Sequence, residues 1–102
     1  MTVKKLTKDT FNEARTSEKR VLIDFYADWC GPCRMVAPVI ASIAESCDDY
    51  FICKVNVDDD PDLAREFGVF SIPTLVVLED GIEVGRSTGA LPKPQILALL
   101  ES

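Results

Sequence analysis

At 102 residues, 47% apolar and 27% charged, the chain has the size and mix of a single globular domain spanning residues 1–102. A net charge of −6 and the lack of a basic cluster exclude nucleic acid and anionic membrane surfaces as expected partners. No stretch approaches transmembrane length, and the amino end has no apolar run behind Lys4 and Lys5, so the expectation is a cytoplasmic protein without a signal peptide.

Thr2 to Leu6 is the first strand candidate. Thr7 can cap a helix reaching about Thr16, with Phe11 and Ala14 on its inner face; Thr10 and Glu13 have capping-box spacing and mark a rival start. Val21 to Tyr26 is apolar and β-rich and reads as a buried strand. A turn at Cys30 then feeds a helix to about Ser46, which Pro38 should bend by removing one backbone bond. Tyr50 to Val57 alternates Phe51, Cys53, Val55 and Val57 with Ile52, Lys54 and Asn56, the period of a strand. Asp60 caps a short helix with Pro61 in its first position, and Gly68 closes it. Asp58-Asp59-Asp60 reads as a solvated turn whose spacing does not match a calcium loop. Thr74 to Glu79 is an apolar strand, and Asp80-Gly81 turns it back through Ile82 to Ser87. Pro92 to Glu101 supplies the last helix, with Ile96, Leu97, Leu99 and Leu100 inward.

The order β-α-β-α-β-α-β-β-α predicts an α/β fold. Strand-helix-strand runs give parallel neighbours by right-handed crossovers, and the hairpin adds antiparallel strands. The result is a five-stranded mixed sheet with helices on both faces.

Trp29-Cys30-Gly31-Pro32-Cys33 carries the chemistry. Cys30 stands just ahead of a helix, where unpartnered N–H groups and the positive end of the dipole favour a thiolate. Cys33 falls one turn on, within reach of a disulfide. As a staple this pair is poor, since a four-residue ring constrains the unfolded chain by roughly 2 kcal/mol against roughly 4.7 for a 100-residue loop. As a zinc site it lacks a second pair, because Cys47 and Cys53 are five residues apart and the chain has no histidine. A haem attachment needs His after Cys33, where Arg34 stands. A dithiol switch in a βαβ setting remains.

Asp24 sits between Ile23 and Phe25 in the strand before the dithiol, where an ionised carboxylate is normally excluded. Burial should raise its pKa and suit it to exchange a proton with the second thiol; the alternative is a polar residue satisfied by a hydroxyl or by Lys54. Lys54, also mid-strand, is the natural charge partner, with a snorkelling surface lysine as the alternative. Trp29 offers a flat apolar surface for docking, with ordinary packing as the alternative. Local sequence permits either isomer at Ile72-Pro73.

These residues resemble the thioredoxin family. The likeness covers the whole chain: the WCGPC motif at 29–33, Asp24, Pro38, Lys54-Val55-Asn56-Val57-Asp58, Ile72-Pro73-Thr74-Leu75 and Gly89-Ala90-Leu91. It implies a thioredoxin fold and a thiol–disulfide oxidoreductase that reduces disulfides in protein substrates. Cys30 would be the nucleophile and Cys33 the resolving thiol, the two forming the redox-active disulfide. Asp24, through a water and Lys54, would help deprotonate Cys33. Gly31 and Pro32 would tune the potential; Trp29, Ile72, Pro73 and Gly89 would bind substrate, a cis peptide before Pro73 pairing with its backbone. The expected partners are protein disulfides and a thioredoxin reductase, with no cofactor, metal, nucleic acid or membrane, and the expected state is a monomer. Three departures stand out. Tyr26 replaces a tryptophan common in relatives, Phe70-Ser71 makes the docking rim more apolar, and Cys47 and Cys53 are extra, Cys53 expected buried and Cys47 exposed and oxidisable. Two rival readings are a binding module without turnover and a disulfide isomerase or oxidant. Retention of both cysteines argues against the first. Pro32, where isomerases usually carry histidine, argues against the second.

Overall fold

In a computed structural model describing residues 2–102, the chain folds as β1 (Lys4–Lys5), α1 (Asn12–Arg15), β2 (Arg20–Tyr26), α2 (Gly31–Ser46), β3 (Tyr50–Asn56), α3 (Pro61–Glu66), β4 (Thr74–Glu79), β5 (Ile82–Thr88) and α4 (Lys93–Glu101). The strands form one sheet in the order β1-β3-β2-β4-β5. β1, β3 and β2 are parallel, while β4 is antiparallel to both β2 and β5.

β2 is the central strand, and its alternation divides the core. Val21, Ile23 and Phe25 pack on one face with Phe11 and Ala14 from the α1 region and Leu63 of α3. Leu22 packs on the other with Val36, Ile40 and Ile43 of α2 and Ile96 and Leu100 of α4. Each fully buried aliphatic or aromatic side chain contributes roughly 1.5–3 kcal/mol. The same alternation carries Asp24 and Tyr26 onto the α2 face, close to the dithiol.

Three expectations are corrected. The first helix is a single turn, Asn12–Arg15, and does not begin at Thr7. Thr10 Oγ1 accepts from the Thr7 N–H at 2.9 Å and Thr7 Oγ1 from the Asp9 N–H at 3.3 Å. These local side-chain bonds give the backbone an alternative to a helix. The first strand is only Lys4–Lys5, although Leu6 still pairs through its N–H with Lys54 O at 2.9 Å. β4 does not arrive by a parallel crossover. It runs antiparallel to β2, with Thr74 opposite Phe25 and Leu78 opposite Val21, so it starts at the end of the sheet where β3 finishes. The Asp80-Gly81 turn forms as expected, both residues at positive φ (52° and 79°). A Cβ at Gly81 would lie 2.7 Å from the Arg15 carbonyl oxygen, so the turn also needs glycine for its close approach to α1.

Candidate active site at the head of the second helix

Cys30 is the N-cap of α2, with extended backbone (φ −86°, ψ 114°), and its Sγ accepts from the Cys33 N–H at 3.2 Å. A side-chain acceptor here satisfies one of the orphan donors of the first turn, and those donors favour negative charge on that sulfur. Pro32 stands in the same turn, where its missing N–H costs nothing. Cys30 and Cys33 are joined as a disulfide, with Cα atoms 5.2 Å apart. α2 continues through Pro38 to Ser46.

The two cysteines are equally buried, 4% and 3% exposed, so exposure does not separate nucleophile from partner. Their surroundings differ. Cys30 lines an open groove of about 450 Å³ with Trp29, Gly31, Pro32 and Ile72. Cys33 lines a second, smaller cavity of about 220 Å³ with Asp24, Tyr26 and Lys54, and with Asp28 and Arg34 at its surface.

The groove also takes in Val57, Val69, Phe70 and Ser71. No sequence signal marked Val57 or Val69 as part of a groove. Trp29 is 68% and Phe70 94% exposed, a large apolar pair on a charged protein. Trp29 donates its indole N–H to Asp58 Oδ2 at 2.8 Å, so the acidic turn is more than solvated surface. The rest of that turn is engaged as well: Asp59 pairs with Lys5 at 3.1 Å. Asp60, buried at the start of α3, makes no side-chain cap there; its Oδ1 accepts from the Lys8 N–H at 3.1 Å.

The Ile72-Pro73 peptide is cis, in agreement with the resemblance. Ile72 O lies 3.8 Å from Cys30 Sγ, bringing a backbone acceptor against the dithiol. Pro73 is buried and does not line the groove, nor does Gly89. Gly89, at φ 95°, donates its N–H to Pro73 O at 2.8 Å, and Thr74 Oγ1 donates to Ser71 O at 2.6 Å. Both bonds fix the loop that presents Ile72.

Asp24 is 4% exposed and its Oδ1 has no hydrogen-bond partner. Burial pushes its carboxyl up to about 7, against a smaller pull downward from the Lys54 ammonium. Lys54 is the register partner of Asp24 on β3 but makes no ion pair with it; its Nζ stands 5.3 Å from the centre of the Tyr26 ring. Of the other cysteines, Cys53 is fully buried and burial raises its thiol pKa strongly, whereas Cys47 is half-buried rather than exposed.

Among the described residues no helix is long and apolar enough to cross a membrane. Residues 2–102 match the family model described as Thioredoxin. The thioredoxin of Alicyclobacillus acidocaldarius is 45% identical over 96 residues, covering 93% of this chain and 91% of that one. Thioredoxin 1 of Synechococcus elongatus is 45% identical over 98 residues, covering 94% and 92%. Among solved structures, a mutant thioredoxin from Halobacterium salinarum superposes with a TM-score of 0.92 at 35% identity, covering 98% of this chain and 88% of that one. Together with a cysteine pair closed across the head of α2, these likenesses lead to one conclusion: the chain belongs to the thioredoxin family and is a thiol–disulfide oxidoreductase that reduces disulfides in proteins.

Proposed function

We propose that Cys30 opens the substrate disulfide and that Cys33, with Asp24 as its proton acceptor, completes the exchange. In the reduced protein the Cys30 thiolate attacks one substrate sulfur, forming a mixed disulfide and releasing the other as a thiolate that takes a proton from water. Cys33 gives its proton to the Asp24 carboxylate and attacks the Cys30 sulfur. The Cys30–Cys33 disulfide forms and the second substrate sulfur leaves as a thiolate that takes a proton from water. Two electrons pass from the dithiol to the substrate, and a thioredoxin reductase returns them. Gly31 and Pro32 set the potential, while Trp29 and Ile72 form the docking surface that Pro73 and Gly89 hold in place. The chain works as a single monomeric domain in the cytoplasm, carrying electrons between the reductase and its substrates.

One observation carries the assignment: a single disulfide has one cysteine on an open apolar groove and the other on a cavity holding a buried acid. The test is to incubate Cys33→Ser with a disulfide-bonded protein substrate. A mixed disulfide should accumulate through Cys30, whereas Cys30→Ser should trap none. Trapping through Cys33 in the second variant would reverse the roles.

A further inference from the structure

We propose that Tyr26 is a positioning residue of the dithiol site: its ring holds the Lys54 ammonium off Asp24 and so leaves that carboxyl as an unpaired acid beside Cys33. The inference rests on the proton-acceptor reading of Asp24 given above. Asp24 and Lys54 are directly opposite on adjacent parallel strands, about 4.8 Å apart in backbone terms, with side chains on the same face. A lysine so placed, next to a buried carboxyl with a free Oδ1, is expected to close an ion pair. None forms. The ammonium instead stands 5.3 Å from the centre of the Tyr26 ring, within the range at which an aromatic face attracts a cation.

Crowding does not explain the choice. Asp24, Ala37 and Lys54 bound two cavities, of about 220 Å³ toward Cys33 and about 180 Å³ toward Ile40 and Glu45, so there is room at the lysine for another position. The other charges nearby are few. Lys5 is the register partner of Lys54 on β1 and is engaged by Asp59; Asp28 and Arg34 line the cavity with Cys33, Glu45 lines the other, and Cys53 lies across the strand pair in the opposite core. None of these forms an ion pair with Lys54 or Asp24 in place of the ring.

The consequence concerns the acid's working range. A lysine at contact distance favours the ionised carboxylate and lowers a carboxyl pKa by about one unit or more. Held on the ring, Lys54 acts on Asp24 from farther away, and the carboxyl stays protonatable near neutral pH, where it can take and return the proton of Cys33. Tyr26 packs against the cluster of Ala27, Cys30 and Cys33, and its effect on the acid runs through Lys54.

The experiment follows the Asp24 carboxyl directly, by carbon-13 titration of the oxidised protein, in the wild type, Tyr26→Leu and Tyr26→Phe. Tyr26→Leu should lower the Asp24 midpoint by about one pH unit as Lys54 swings across, and Tyr26→Phe, which keeps the ring, should leave it near the wild-type value. In a Lys54→Met background, Tyr26→Leu should move nothing. Fluorinated phenylalanines at position 26, whose faces are less negative at nearly constant shape, should lower the midpoint in graded steps, and they serve equally if Tyr26→Leu does not fold. An unchanged or raised midpoint on weakening the ring overturns the proposal, as does an equal effect in the absence of Lys54. Because this readout needs no turnover, it separates failure of the lysine-parking inference from failure of the Asp24 reading. The latter is judged by whether the rate of mixed-disulfide resolution by Cys33 follows the Asp24 midpoint.

Discussion

Asp24 should make the folded protein less stable as the pH rises from acid to neutral, and removing its charge should abolish that loss. The carboxyl titrates at about 7 in the fold against 3.8 for the free group, with burial as the main cause. An acid whose pKa is raised on folding binds its proton more tightly folded than unfolded. Its contribution is therefore neutral below the unfolded value, turns unfavourable between the two values, and levels off above the folded one. At about 1.36 kcal/mol for each pH unit of separation, the full penalty is about 4 kcal/mol above pH 7. Water entering around the ionised group relieves part of this, so a measured value of about 2–4 kcal/mol is expected. The assay is equilibrium urea unfolding of oxidised wild type and Asp24→Asn at intervals from about pH 4 to pH 8.5. Any constant cost of a buried amide shifts the whole curve and leaves its slope alone. The difference in stability, variant minus wild type, should rise by about 2–4 kcal/mol between the two ends. A difference that stays flat across this range would show that the Asp24 carboxyl is solvated in the fold, and the buried-acid reasoning would be wrong.

Three further outcomes are expected. In the reduced protein near neutral pH, an alkylating agent should modify Cys30 well before Cys33, because only Cys30 lines the open groove; mass spectrometry of each cysteine peptide decides it, and equal rates would remove the distinction. Phe70→Ser should lower kcat/KM for protein disulfides by roughly 5–30-fold, the equivalent of about 1–2 kcal/mol of apolar burial on docking; an unchanged value would place Phe70 outside the docked surface. Asp58→Ala should free the indole of Trp29, the sole tryptophan of the chain, and change its emission while lowering stability by about 0.5–1.5 kcal/mol for the lost hydrogen bond; an unchanged spectrum would mean that the bond does not fix the ring.

Strong local signals made most of the fold legible. The unbroken apolar run of β2, the Asp80-Gly81 turn, the Pro61 start and Gly68 end of α3 and the period of β3 all survive in the structure because packing and backbone chemistry agree at those positions. The weakest elements were misjudged. Thr7 and Thr10 suit a helix start and a side-chain-bonded turn equally well, and nothing within ten residues decides between them. That β4 runs antiparallel to β2 is a property of the assembled sheet, which no local signal carries. The dithiol and Asp24 were visible because each breaks a local rule, a close cysteine pair without a metal partner set and a charge within an apolar strand. Asp58 broke none. An acidic turn after a strand looks the same whether it faces water or an indole 29 residues away. Cation–ring contacts such as that of Lys54 with Tyr26 are likewise invisible in sequence, since they depend on which of two neighbours a long side chain leans toward.

The same geometry explains why one helical turn suffices for a reversible switch. Two sulfurs three residues apart lie on the same side of the helix start, close enough to bond, with Cys30 at the cap and Cys33 one turn further along. Cys30 thereby meets the groove, the Ile72 carbonyl and the helix amides, all on the side from which another chain can approach. Cys33 meets the cavity that Asp24 lines. On the proposed mechanism a substrate sulfur entering by the groove reaches Cys30 first, and Asp24, the proposed acceptor of the Cys33 proton, lines a different cavity. Moving Asp24 one residue along β2 would turn it to the other face of the sheet, among Phe11 and Leu63, where it would be just as buried and of no use to either sulfur. Under the proposed mechanism, the position of one carboxyl in a strand of period two therefore decides whether burial is only a cost to the fold or also a source of a proton acceptor near neutral pH.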